Sequence, residues 1–178
     1  MKKSLAVGTL GAMLAVSASA MAQINFIAPM DGLQENPDVI TAASGFGSGV
    51  LTGASGAYVF NYTVNYDGVT TLRDAHIHTG AVGSNGGVVH GLDGLALQLG
   101  MTSGTFTGDW RFDDATRPLT DTLANTLISG GAYFNIHSAS NPGGQIRGQI
   151  IAVPEPGSVA LLLGMGMTGL VAFRRRRK

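Results

Sequence analysis

The sequence predicts an all-β fold for residues 23–152: an antiparallel, Greek-key-like β-sandwich or barrel with one short helix. An N-terminal signal peptide and a C-terminal hydrophobic helix flank it. Three observations carry this expectation. Tyr58, Phe60, Tyr62, Val64 and Tyr66 alternate with Asn61, Thr63 and Asn65, the period-two pattern of a half-buried strand. Glycine makes up 27 of 178 residues and gathers between the apolar runs, where short strands need turns. A single segment, 119–129, has helical spacing.

Taken in order, residues 23–43 read as an irregular arm or edge strand. A strand over 45–52 follows, joined through Gly53-Ala54-Ser55-Gly56 to the alternating strand 58–66, which Asp67-Gly68 ends in a turn. Residues 74–78, 95–99 and 104–112 read as further strands. In 119–129, Pro118 or Thr120 starts the helix, Leu119, Leu123 and Leu127 share one face, and Gly130-Gly131 stops it. Strands 132–138 and 145–152 form a hairpin across Asn141-Pro142-Gly143-Gly144, where proline second and glycine third suit a type II turn.

The two ends read as addresses. Lys2 and Lys3, an apolar run over 5–16 and a small-x-small ending at Ala20 and Ala22 form a signal peptide, with signal peptidase cutting after Ala22. An uncleaved anchor is the alternative, although the run is shorter than the roughly 20 residues a span needs. At the other end Pro154, Glu155 and Pro156 precede an apolar segment over 158–173 and then Arg174, Arg175, Arg176, Arg177 and Lys178. A helix of that length covers about 24 Å, and snorkelling arginines can make up the shortfall against a hydrocarbon core of about 30 Å. The basic cluster stays cytoplasmic, so the segment is a transient inner-membrane anchor for a domain on the far side.

Formal charge balances at 11 basic and 11 acidic residues, but the balance is a property of the ends. Between residues 23 and 152 only Arg73, Arg111, Arg117 and Arg147 face ten carboxylates, a net of −6 with no lysine. This argues against nucleic acid or anionic lipid as partners. The chain has no cysteine, which excludes disulfides, thiolate metal sites and thiol nucleophiles.

Several motifs then line up. The tail, with all three of its parts, resembles the PEP-CTERM sorting signal of Gram-negative, exopolysaccharide-producing bacteria. That implies an exosortase-type membrane enzyme as partner and either removal of 153–178 or its retention as an anchor. Within 23–152 the pieces are Glu35-Asn36-Pro37, Ala75-His76-Ile77-His78-Thr79-Gly80, the run 83–89, and Ala132-Tyr133-Phe134-Asn135-Ile136-His137-Ser138. Asn141-Pro142-Gly143-Gly144-Gln145-Ile146-Arg147-Gly148-Gln149-Ile150 completes the set. Together they resemble the CHRD domain first described in chordin. In that family a glutamate usually stands where this chain has Gln145. The resemblance implies an extracellular β domain and no particular reaction. A binding or structural module of the envelope or extracellular matrix, associated with exopolysaccharide, is the first functional expectation.

The second expectation rests on four histidines. His76 and His78 lie two apart on one strand and share a face, with Ile77 on the other. Tyr133, Asn135 and His137 share a face opposite Phe134 and Ile136. If those strands are neighbours the imidazoles converge away from the core, and His90 can supply a fourth. Four neutral imidazoles suit copper or zinc. The order is similar to the copper ligands of copper/zinc superoxide dismutase, without that enzyme's zinc-site cluster or disulfide. The alternatives are a hydrogen-bonded polar face and pH-titrating histidines.

Other positions read more simply. Asp109, Asp113 and Asp114 form a solvated acidic turn or, as the alternative, a calcium site. Arg147 pairs with a carboxylate, Asp74 being one option, or holds an anionic ligand. The serines, Ser138 and Ser140 included, lack a Ser-His-Asp context, and the 83–87 glycine run lacks the Lys-Ser/Thr of a phosphate loop. Asn61-Tyr62-Thr63 is a sequon only by pattern, because it lies mid-strand. No catalytic constellation emerges.

Overall fold

The structure, a computed structural model, describes residues 23–154. The signal segment 1–22 with Ala20 and Ala22 lies outside the described residues. So does the tail 155–178, with Glu155, Pro156, the apolar run 158–173 and Arg174, Arg175, Arg176 and Arg177. No helix among the described residues is long and apolar enough to cross a membrane.

The strands are β1 (Ile24–Asp31), β2 (Ser44–Thr52), β3 (Val59–Asp67), β4 (Leu72–Thr79), β5 (Val88–Gly91), β6 (Gly104–Arg111), β7 (Ala132–Ser138), β8 (Ile146–Gln149) and β9 (Ile151–Val153). They form one antiparallel sheet in the order β5-β4-β7-β8-β1-β2-β3-β6, with β9 also on β1. The sheet curls into a nearly closed barrel, open between β5 and β6. Asp93 laces that seam: its carboxylate accepts from the Tyr62 hydroxyl of β3 at 3.1 Å and from the Asp109 N–H of β6 at 3.0 Å.

The alternation of β3 sets the interior. Phe60, Tyr62, Val64 and Tyr66 are buried, and Phe26, Phe60 and Phe134 meet at centroid distances of 5.6 and 6.4 Å. Strand β2 accommodates these rings by having none of its own there. A Cβ on Gly47 would lie 2.6 Å from the Phe134 ring, and one on Gly49 would overlap Phe60. Glycine at these positions gives the aromatic rings their volume, at the cost of strand propensity.

The helix of the 119–129 segment is α2 (Asp121–Ile128), which follows α1 (Leu95–Gln98) in the chain. Thr120 caps α2 by accepting from Leu123 N–H at 3.3 Å. Leu119 is buried just ahead of the helix, and Gly130, at φ 73°, ends it.

Four local expectations are corrected. Residues 23–43 contain β1, an interior strand paired along all eight residues with β2; its Pro29 falls where neither β8 nor β9 pairs with β1. The 95–99 segment is the one-turn α1, entered through Gly94 at φ 78°, since a short apolar run does not distinguish strand from helix. The last strand is broken at Ile150, whose N–H turns to the Ala132 carbonyl. In the Asn141–Gly144 turn the positive φ belongs to Gly144, at 136°, and not to Gly143, so the turn is not type II.

Candidate metal centre

Strands β4, β7 and β8 each feed two interiors. Ala75, Ile77, Phe134, Ile136 and Ile146 point into the barrel and are fully buried. The alternate residues form an outer layer of polar side chains. Register places Asp74 opposite His137, and forms rows across β4, β7 and β8 of His76, Asn135 and Arg147 and of His78, Tyr133 and Gln149. This layer is covered except at its Asp74 and His76 end. All seven residues of β7 and all four of β8 are buried, and His78, His137, Asn135, Arg147 and Gln149 expose 8% or less. The roof comes from residues 32–41, 80–87 and 139–145.

His76, His78 and His137 converge here, each offering one ring nitrogen within 4.8 Å of the other two. Their other nitrogens face groups that can only accept. His76 Nε2–H donates to Asp74 Oδ1 at 2.9 Å, His78 Nδ1–H to the Gly86 carbonyl at 3.0 Å, and His137 Nδ1–H to the Pro142 carbonyl at 3.0 Å. These partners assign the tautomers. In the neutral rings the lone pairs are then on His76 Nδ1, His78 Nε2 and His137 Nε2, the atoms that face inward. His76 Nδ1 and His137 Nε2 are 3.2 Å apart, and His78 Nε2 is buried with no hydrogen-bond partner among the described residues. Ligand nitrogens at about 2.0–2.1 Å from a tetrahedral ion are separated by about 3.3 Å. An outward N–H held by a carboxylate or carbonyl is also the usual orienting arrangement of a metal-bound histidine. The donor set fits copper or zinc.

Burial favours the neutral form of these rings, the form that ligation requires. Burial lowers the pKa of His76 and His78, and burial followed by the neighbouring His76 brings His137 down to about 4.

The surrounding side chains fix the geometry. His78 stacks on the Tyr133 ring at 5.0 Å and 14°, and the Arg147 guanidinium lies 3.5 Å from the centroid of that ring. Arg147 donates to the carbonyls of Ser84 at 2.9 Å and Ala81 at 2.8 Å and to Gln149 Oε1 at 3.1 Å, so it pins the 80–87 loop. Gly86 fastens both rings of the stack: its N–H donates to the Tyr133 hydroxyl, and its carbonyl accepts from His78. A Cβ on Gly86 would overlap the Thr79 carbonyl. Glu35 reaches the same layer from the 32–41 segment. Burial, offset by Arg147, raises its pKa to about 7, and its Oε1 and Asn135 Oδ1 both lack partners among the described residues.

Three of the four expected histidines thus meet, and His90 does not join them. It pairs with Ile77 and shares that residue's inward face, where it stacks on Trp110 at 5.6 Å and contacts the Tyr62 hydroxyl at 3.2 Å. The expected Arg147–Asp74 pair is replaced: Asp74 orients His76, and Arg147 is held by carbonyls. In the acidic turn Asp113 pairs with Arg111 at 2.8 Å, and Asp114 accepts from the Thr116 and Arg117 N–H groups. Asp74, Gly86 and Pro142 were not read as parts of the site. Asp74 had a sequence signal, standing two residues before His76 on the same face; Gly86 and Pro142 act through backbone carbonyls and had none.

A family model described as the CHRD domain matches residues 26–150, and one described as the PEP-CTERM protein-sorting motif matches residues 152–177. No curated protein and no solved structure matches the chain. The sorting motif implies export through membrane-anchored sorting and processing by an exosortase.

Proposed function

Because the chain belongs to the CHRD domain family and carries a PEP-CTERM sorting motif behind that domain, we propose that it is an exosortase-sorted envelope or matrix protein whose domain binds one copper or zinc ion through His76, His78 and His137. The observation that carries the reading is the tautomer pattern. Two buried imidazoles and the half-buried His76 each spend one nitrogen on an acceptor and turn the remaining lone pair toward the same point. A purely structural polar layer would pair those nitrogens with donors, since lone pairs left facing one another in a buried site go unsatisfied. The experiment is elemental analysis of the exported protein from metal-replete cells, wild type against His78→Ala and His137→Ala. One ion per chain in the wild type and none in the variants is expected; metal-free wild type overturns the reading.

A binding role at the surface has its own support. A groove of about 360 Å³ on the outer side of β1, β2, β3 and β6 is lined by Asn25, Ser48, Asn61, Thr63 and Thr107. Amides and hydroxyls without lysine suit a neutral polyhydroxyl ligand such as exopolysaccharide. Retention of the protein on polysaccharide-containing cell material, lost in Asn61→Ala with Thr63→Ala, tests this role. Deletion of residues 154–178 tests the sorting, and unchanged surface release of the truncated protein overturns it.

A further inference from the structure

The three-histidine site has an open side. A pocket of about 270 Å³ is bounded by Arg73, Asp74, His76, Val88, His137 and Pro142, so two of the three imidazoles border it. Arg73 reaches this rim because of a β-bulge. The register of β4 on β7 shifts between Leu72 and Asp74: Leu72 and Ala75 are both in the core, and the extra residue leaves Arg73 and Asp74 together on the outer side. Bulges commonly re-aim a side chain beside a functional site. Arg73 is exposed and makes no side-chain hydrogen bond or ion pair among the described residues. By contrast Arg111 is paired with Asp113, Arg117 donates to the Val88 carbonyl, and Arg147 is fully engaged under the roof. In a domain of net −6 with only four cations, the one without a partner among the described residues borders the pocket of the histidine site.

We propose that Arg73 and the ion at His76, His78 and His137 together hold the carboxylate of a ligand in this pocket. The inference rests on the metal reading given above. Three protein ligands leave a coordination position free, as in sites that bind exogenous ligands. The guanidinium of Arg73, on the rim of the pocket that His76 and His137 border, offers the planar fork that matches a carboxylate. A singly charged group suits the local balance, because Asp74 on the same rim disfavours a dianion such as phosphate. Two sources present this chemistry: a small free carboxylate, and a uronate residue within an acidic glycan.

The test uses the exported protein loaded with Cu(II), with copper affinity measured by competition and the EPR spectrum followed during titration with acetate, glucuronate or an oligouronate. Carboxylate is expected to shift the wild-type spectrum. Arg73→Gln is expected to need about tenfold more ligand for the same shift at unchanged copper affinity. Arg111→Gln removes the same charge elsewhere and is expected to titrate like wild type. Oligouronate binding tighter than acetate identifies the glycan, and equal binding identifies the small carboxylate. A spectrum that no carboxylate moves, or an Arg73→Gln titration identical to wild type, overturns the inference while leaving the metal reading standing. Wild-type protein that takes up no copper overturns both.

Discussion

His76 Nδ1 and His137 Nε2 face each other across 3.2 Å, each with a lone pair, because Asp74 and Pro142 hold the protons on the far sides of the two rings. A cation between them converts a repulsion into a bond, and folding and metal binding are coupled through that contact.

The first prediction follows from mass action. Zinc at a free concentration one hundred times its Kd should raise the unfolding free energy by about 2.7 kcal/mol. Calorimetry of the metal-loaded and metal-free protein measures it. His137→Ala should abolish the dependence on metal concentration. His90→Gln should lower stability through its lost stack on Trp110 yet retain the dependence, because His90 lies inside the barrel.

Acid should weaken the metal-free protein through His137. Its folded pKa is about 4 against an ordinary 6.5, so between those values the unfolded chain binds the proton and the native state does not. The stabilisation is complete above pH 6.5 and disappears as pH falls to 4, by an amount on the order of 3 kcal/mol. Because Glu35 titrates in the opposite sense over the same range, the effect is read as a difference: urea unfolding should show wild type losing that much stability relative to His137→Gln as pH falls from 6.5 to 4.

Glu35 acts in the opposite sense. Its folded pKa of about 7 lies above its ordinary 4.5, so the native state keeps a proton that the unfolded chain gives up. That contribution is whole below pH 4.5 and lost as pH rises through 7. Glu35→Gln should therefore match wild type near pH 4 and exceed its stability at pH 8 by an amount on the order of 3 kcal/mol, as read from urea midpoints at the two pH values.

Arg147→Lys should cost about 2–4 kcal/mol, because an ammonium cannot reproduce the fork that reaches Ala81, Ser84 and Gln149 over the Tyr133 ring. The freed 80–87 loop carries the Gly86 carbonyl that orients His78, so metal affinity should fall with stability. Chemical denaturation and metal competition on the same variant check both.

Gly49→Ala should destabilise the barrel by about 1–3 kcal/mol through overpacking against Phe60. Gly56→Ala, where a Cβ meets nothing within 4 Å but φ is 76°, isolates the separate backbone effect.

Period-two patterning carried much of this architecture into view. Tyr58 to Tyr66 announced β3 and the barrel interior, and His76-Ile77-His78 with Asn135-Ile136-His137 announced which side chains share a face. What patterning does not encode is the neighbour beyond the strand. β1 carries apolar residues at consecutive positions, Phe26, Ile27 and Ala28, and β5 is too short to alternate. The side of the sheet taken by His90 depends on its register with Ile77, which only the fold sets. The roof over the outer layer was invisible for a related reason: it is made by irregular segments whose contributions, at Ala81, Ser84, Gly86 and Pro142, are backbone carbonyls that any residue possesses.

Strand β7 serves an apolar interior with Phe134 and Ile136 and a histidine-lined one with Asn135 and His137. A slip of one residue would exchange the two sets, pushing an imidazole against Phe60 and a phenyl ring beneath Arg147. In a strand with one wet face such a slip is penalised at the buried face, where polar residues enter the core, while the polar face merely gains apolar residues. Here both faces are filled with chemically opposite contents, so a misaligned β7 is penalised twice. The histidine layer thereby helps to set the alignment of β7, independently of any ion or ligand.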